Sequence, residues 1–465
     1  MGGEASGALK NGFVCLYYRY IMASCLVQHD AKKLVSHFHS AVDRELVFGQ
    51  PTIILRMSVP VNLPKCEEIT ALLPAKDLER RRELGQFFTS PNVAEFIWKM
   101  LEIIHGARFR ANTRLIDPAC GEGVFLRVAN EQGGLPTKSL FGADIDATLV
   151  PLWQQDSLLR GASLVLGNGL LDDPSSGIIE GAFHVTAGNP PFSGKGLRDL
   201  LRLLDEDAEG QRHQEQDLFG GLYVKEESTT KQESLPAEER SELDRLIRSL
   251  SQYSCWRLQM EPEQEVEEED DSKRTPTELF APSMLEDRRR PTVGDYERAA
   301  KLISQWPHNR PLDTSLPEIR DTIRRLASTA IEVMFTERFV RLTKPGGLIA
   351  VIVPESIVAS DRLGPFRIWL LGRMDLLASV SLPQKVFTGV GANAKTSIIF
   401  GRRRVHDRLN GWYSSEEFQD SPEDNDPVFL AAPRVDAPSF TVDSYLAHIL
   451  ADAQRERNVF WPKEK

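Results

Sequence analysis

The chain has 465 residues, of which 41% are hydrophobic and 26% charged, with a formal net charge of −11. The length predicts two or three domains of a soluble globular protein, and the acidic balance argues against loose nucleic-acid binding over the whole surface, because phosphate contacts depend on Lys and Arg. The five cysteines, Cys15, Cys25, Cys66, Cys120 and Cys255, are scattered and form no C-x-x-C. This predicts a protein of the reducing cytoplasm without a zinc or other metal site.

Residues 1–77 read as an N-terminal segment of mixed strand and helix patterning. Its apolar run Gly12–Val27 is too short for a membrane span and contains Arg19. It also lacks the basic start and small-residue cleavage site of a signal peptide, so a buried helix or strand is expected, and no membrane association. Arg80-Arg81-Arg82 is a basic cluster; Leu84-Gly85-Gln86-Phe87-Phe88-Thr89-Ser90-Pro91 then leads into a helix over Val93–Ile104.

A short strand from Arg114 ends in Leu115-Ile116, and Asp117-Pro118-Ala119-Cys120-Gly121-Glu122-Gly123 follows it. Gly121 and Gly123 permit a tight turn and close backbone approach to a ligand, and a helix starts at Val124. Strand, Gly-rich loop and helix are the logic of nucleotide-type cofactor sites. The pattern is neither the dinucleotide G-x-G-x-x-G, since Leu126 holds the third position, nor a phosphate P-loop. A carboxylate at Asp117 would repel phosphates, which points to a cofactor with a cationic or hydrogen-donating group. A second strand, Ser139–Ala143, ends in Asp144-Ile145-Asp146, about twenty residues past the loop, where an acidic residue in such folds takes ribose hydroxyls. A third, Ser163–Leu166, ends in Gly167-Asn168-Gly169. A fourth, Ala182–Ala187, delivers Asn189-Pro190-Pro191-Phe192 to its C-terminal end, where open α/β sheets bind ligands. Asn and Pro are ordinary turn formers. Here the prolines also stiffen the loop, and an amide oxygen, a free carbonyl and an aromatic face together suit a planar ring bearing an NH2 group.

With these motifs in this order, the chain resembles the S-adenosylmethionine-dependent DNA adenine-N6 methyltransferases, in particular the modification subunits of type I restriction systems and related phage-defence methylases. The resemblance covers about residues 78–202 and 320–404. It continues through Phe335–Phe339, Lys344-Pro345-Gly346-Gly347, a strand over Leu348–Val353, Pro354-Glu355-Ser356, and a closing pair over Leu376–Leu382 and Thr396–Phe400, the last strand antiparallel. It implies an α/β fold: a seven-stranded, mostly parallel Rossmann-like sheet with helices on both faces, plus an N-terminal segment and a large insertion.

The resemblance further implies that Asn189 and the Pro190 carbonyl accept from the target amino group, in a loop completed by Pro191, while Phe192 stacks on the base. Asp117, Pro118, Gly121 and Gly123 are implied for the methionine portion of S-adenosylmethionine, with Thr89 and Pro91 near the same end. Asp144 is implied for the ribose, Ile145 for packing on the adenine, and Asn168 for the adenine amino group, where the family usually has Asp. Asp146 reads as the cap of the following helix.

The organisation follows as residues 1–77, the cofactor half at 78–202, an insertion at 203–315, the second half at 316–404 and a tail at 405–465. The insertion has helix-like pieces at Leu243–Ser251 and Tyr296–Ile303 and an acidic run, Glu261–Asp271, with eight carboxylates in eleven residues; the tail ends in a helix-like Val442–Ala453. Arg288–Arg290 and Arg402–Arg404 suit a solvated face and phosphate contact about equally. No sequence-reading motif is present, so target choice falls either to the 203–315 insertion or to a separate specificity or defence-complex subunit, and the acidity of the insertion favours the subunit. The expected partners are DNA and that subunit. The alternative readings are a methyltransferase acting on RNA or on protein glutamine, since Asn-Pro-Pro-aromatic loops also serve those reactions, and a non-catalytic methyltransferase-like DNA-binding subunit.

Overall fold

The computed structural model describes residues 89–192, 237–258, 293–383, 386, 395–407, 427–433 and 441–462. The N-terminal apolar run, Leu84–Phe88, the Arg80–Arg82 and Arg288–Arg290 clusters and the acidic run lie outside them.

An eight-stranded sheet organises the described residues. Its strands are β1 (Leu115–Asp117), β2 (Leu140–Asp144), β3 (Ser163–Leu166), β4 (Phe183–Gly188), β5 (Thr343–Pro354), β6 (Met374–Leu382), β7 (Thr396–Arg403) and β8 (Phe429–Ala431), in the order β3-β2-β1-β4-β5-β7-β6-β8. Seven strands are expected from the sequence; the structure has eight. The extra strand, β8, pairs parallel with β6 and comes from the segment read as a tail. Three residues carry too little periodicity to be read as a strand; partners define it. Only β7 runs against the others among these strands, pairing antiparallel with both β5 and β6.

The sheet is covered on both faces. Within β5, Leu348, Ala350 and Ile352 join one core cluster and Ile349, Val351 and Val353 join another. A continuous apolar run buried on both sides is what a central parallel strand needs. The first face is covered by α1 (Pro91–His105), α2 (Val124–Glu131) and α10 (Val442–Arg455). Helix α1 starts with Pro91 at its first position and ends at Gly106, whose φ of 80° lets its N–H cap Glu102 and Ile103. The former tail packs here too: Tyr445 Oη donates to the Ser381 carbonyl at 2.8 Å, and Asn92 Nδ2 to Asp443 Oδ1 at 2.9 Å.

The second face carries α4 (Ala237–Leu250), α5 (Val293–Gln305), α6 (Pro317–Ser328), α7 (Ile331–Leu342) and α9 (Gly364–Arg373); α3 (Val150–Gln155) follows β2, α8 (Glu355–Ala359) follows β5, and α11 (Arg457–Phe460) closes the described chain. The described part of the insertion is therefore packed core. Its Trp256, Tyr253 and Cys255 are buried. The fully buried Glu337 of α7 accepts from the Ser254 and Cys255 N–H groups and pairs with Arg341 at 3.3 Å. Tyr253 Oη donates to the Leu170 carbonyl, tying the insertion to the segment after β3.

Candidate functional site at the strand ends

Because β1–β4 are parallel, their C-terminal ends share one edge. The register aligns Asp117 with Gly142, Asp144 with Leu166, and Gly188 with Val351. Asp117, the Gly121–Gly123 loop, Asp144-Ile145, Asn168 and Asn189-Pro190-Pro191-Phe192 therefore come together along that edge. Thr89 and Pro91 belong to the start of α1. Asn92 in the first turn of α1 bonds Asp443, and Tyr445 of the same neighbouring helix bonds the Ser381 carbonyl at the C-terminal end of β6, so this turn lies toward the strand ends. At the other end of α1, His105 is held below the usual histidine pKa by burial and then by Arg402.

The loop after β1 is held from several sides. Cys120 N donates to the Ala143 carbonyl at 3.0 Å, and Gly121 N to Asp144 Oδ2 at 2.8 Å. The Gly121 carbonyl accepts from Trp153 Nε1 at 2.8 Å. Gly121 and Gly123 have φ of 53° and 84°, in the left-handed region that glycine tolerates. Gly169 closes the neighbouring loop: a Cβ there would meet the Pro118 carbonyl oxygen at 1.7 Å. Pro118 itself is buried.

The carboxylates differ in role. Asp144 Oδ1 accepts from Asp146 N at 3.0 Å, and burial raises its pKa against the N–H bonds from Asp146, Gly121 and Ile145. Asp146 Oδ1 accepts from both the N–H and the hydroxyl of Thr148, capping the short 3-10 turn Ala147–Leu149 as expected. Asp117 is buried, and its hydrogen bond among the described residues is from Ala119 N to Oδ1 at 3.0 Å. Burial pushes it up to about 8, with the Asp144 charge adding to the rise. A cation brought beside such a carboxyl would draw its pKa down again. Cys120 is buried and its thiol is pushed well up, chiefly by burial, which fits packing rather than nucleophilic attack.

Asn168 Oδ1 accepts from Leu170 N at 3.0 Å in an Asx-type turn, leaving one further lone pair on that oxygen. Asn189 and Pro190 are buried; Pro191 is half-buried, as is Phe192, which packs against the first core cluster. Ile145 is 50% exposed, and so is Leu166 in the adjacent strand. Each bares a large apolar side chain at the strand ends, Leu166 in register with Asp144. Leu166 is missed in the sequence because it reads as an ordinary end-of-strand residue. Trp153 is missed because nothing in the sequence links it to Gly121.

The Arg402–Arg404 cluster lies at the opposite edge, since Arg403 and Arg402 face Met374 and Asp375, the first two residues of β6. Arg403 donates to the Arg373 carbonyl and pairs with Asp407, while Arg404 bonds the Leu371 carbonyl and pairs with Asp375 at 2.9 Å. A cavity of about 340 Å³ at that edge, lined by Arg341, Trp369, Arg373 and Arg403, is likewise remote from the strand ends.

Gly-rich loop, acidic strand end and Asn-Pro-Pro-Phe thus converge on one edge of the sheet. Residues 73–218 match the family model of the N-6 DNA methylases. This N-6 DNA methylase match spans the strand ends from the start of α1 through the Asn189 loop. Three solved structures are also similar to the chain. One is a candidate class I S-adenosylmethionine-dependent methyltransferase from Listeria monocytogenes, at 14% identity over 99% of this chain and 100% of that one, with a TM-score of 0.38. The second is a modification subunit of a type I restriction enzyme, so assigned, from Vibrio vulnificus, at 15% identity over 74% of this chain and 51% of that one, TM-score 0.35. The third is the methyltransferase subunit of a type I restriction-modification system from Streptococcus thermophilus, at 13% identity over 80% and 53%, TM-score 0.35. The chain spans about half the length of the two type I subunits. Among the described residues, no helix is long and apolar enough to cross a membrane.

Proposed function

We propose that the protein transfers a methyl group from S-adenosylmethionine to the N6 amino group of adenine in DNA, within a restriction-modification or phage-defence system and alongside a separate specificity subunit. The observation that carries this reading is the convergence of Asp117, Gly121, Asp144 and the Asn189 loop on one sheet edge, within the stretch that matches the N-6 DNA methylase family.

The residues present fit the cofactor. Asp117 supplies a buried acid for an ammonium group, and Gly121 leaves open space beside its backbone. Asp144 is at the height for ribose hydroxyls, Ile145 and Leu166 offer apolar contact for the adenine, and Asn168 keeps an acceptor lone pair for the adenine amino group. Thr89 and Pro91 would close the methionine end. When bound, the cofactor supplies a methyl group on a sulfonium, already a good leaving group.

The chain's own task is then to prepare the nucleophile. The N6 lone pair of adenine is delocalised into the ring. The Asn189 side-chain oxygen and the Pro190 carbonyl would accept its two hydrogens, drawing the nitrogen toward tetrahedral geometry and localising the pair. The transfer needs orientation and electrostatics more than a side-chain base. A base inside a duplex is out of reach, so it must be flipped out at a cost of a few kcal/mol. Stacking on Phe192 would return about 1–3 kcal/mol of that cost.

The test is transfer of isotope-labelled methyl from S-adenosylmethionine to adenine-containing DNA by the purified chain, with the labelled base identified after digestion. Label recovered as N6-methyladenine, lost in Asn189→Ala while cofactor affinity is kept, supports the reading. Label in RNA or protein alone, or failure to bind cofactor, refutes it.

A further inference from the structure

Gly188 is the last residue of β4 and immediately precedes Asn189. Its backbone is not in the left-handed region, so it is not glycine for reasons of conformation. It is glycine for space. A Cβ at this position would lie 2.4 Å from Asp117 Oδ1, 2.7 Å from Asp117 Cγ and 2.9 Å from Asp117 Oδ2. Glycine inside a strand commonly marks such a close approach. The carboxyl of Asp117 thus occupies the volume that a side chain at 188 would fill.

Neither partner can yield cheaply. Asp117 is 1% exposed and held by Ala119 N. Gly188 sits in a central strand, with β1 on one side and β5 on the other, in register with Val351. To admit a methyl group, either the carboxyl must leave Ala119 N and the crevice, or the backbone leading into Asn189 must shift.

We propose that Gly188 is a positioning residue for the methyl transfer: by ceding its side-chain volume to Asp117, it locks the cofactor-facing carboxyl to the strand end that carries Asn189. This rests on the function proposed above. Gly188 touches neither substrate; it acts through the two residues that would.

A double-mutant cycle tests it, with Gly188→Ala, Asp117→Ala and the double variant in the full chain. Affinity for S-adenosylhomocysteine is read by calorimetry, and stability by urea unfolding. Gly188→Ala alone should weaken binding at least tenfold. Asp117→Ala removes every atom that the new Cβ would meet, so adding Gly188→Ala to it should change binding less than twofold. A Cβ that merely loosened β4 would cost the same in both backgrounds. Multiplying effects, or a Gly188→Ala protein that binds like the parent, overturn the proposal. If Gly188→Ala alone fails to fold, recovery of folding in the double variant is the supporting result, and failure of both the contrary one. If the parent chain does not bind S-adenosylhomocysteine, the cofactor reading falls. In that case, or if Asp117→Ala binds too weakly to measure, the urea cycle decides the Gly188–Asp117 contact: additive costs reject it, and a cost that vanishes with Asp117→Ala sustains it.

Discussion

The Asp117 carboxyl gives the fold a pH dependence that one substitution should remove. In an unfolded chain an aspartate titrates at roughly 4; in the folded protein burial pushes Asp117 up to about 8. Between those values the folded state holds a proton that the unfolded state has given up. Stability from this group is therefore full below about pH 4 and is lost as pH rises toward about 8. Each pH unit in the window removes about 1.4 kcal/mol. From about pH 5 to about pH 7.5 the parent should lose on the order of 3 kcal/mol that Asp117→Asn, close in shape to the neutral acid, does not. The raised pKa of Asp144 acts in the same direction in both proteins and cancels to first order in the difference. Urea unfolding of both at the two pH values measures this. Stability curves that stay parallel would refute the assignment of a neutral, buried Asp117.

Three further outcomes follow from the same geometry. An ammonium-bearing ligand should take Asp117 as its anion, so S-adenosylhomocysteine binding near pH 7 should release about one proton, seen by calorimetry in buffers of different ionisation heat; heats independent of buffer would contradict it. Trp153→Phe keeps an aromatic, smaller side chain but loses the 2.8 Å bond to the Gly121 carbonyl. The loss of about 1 kcal/mol should lower S-adenosylhomocysteine affinity roughly fivefold, and unchanged affinity would show that this bond does not shape the loop. Glu337→Ala strips the buried acceptor from Ser254 N and Cys255 N and leaves Arg341 short of one partner. It should cost about 3–5 kcal/mol and open the 237–258 segment to proteolysis before the sheet unfolds; a loss below about 1 kcal/mol would be inconsistent with that anchoring role.

The strand ends were the legible part of this chain. Asp117, Asp144, Asn168 and Asn189 each terminate an apolar run, and local chemistry suffices to mark such a boundary. Boundaries of the first four strands fell within a residue, as with Ala182–Ala187 against the observed Phe183–Gly188, whereas β5 begins at Thr343, ahead of the expected Leu348, and β7 runs to Arg403, past the expected Phe400. What the sequence concealed depends on pairing across distance. Strand β8 exists because β6 offers an edge, and α10 returns to α1 through Tyr445 and Asp443. Gly188 looks like a turn residue until Asp117 is seen against it, and Trp153 looks like core until Gly121 is found at its nitrogen. The Arg402–Arg404 cluster reads as a possible phosphate contact, yet the antiparallel course of β7 carries it to the edge away from the crevice.

The most direct test of the central claim is single-molecule sequencing of genomic DNA from cells expressing this protein with its native partners, beside cells expressing Asn189→Ala. The account predicts N6-methyladenine at a defined sequence in the first and none there in the second. The same methylation in both would contradict it, because the amino group would then be activated without Asn189.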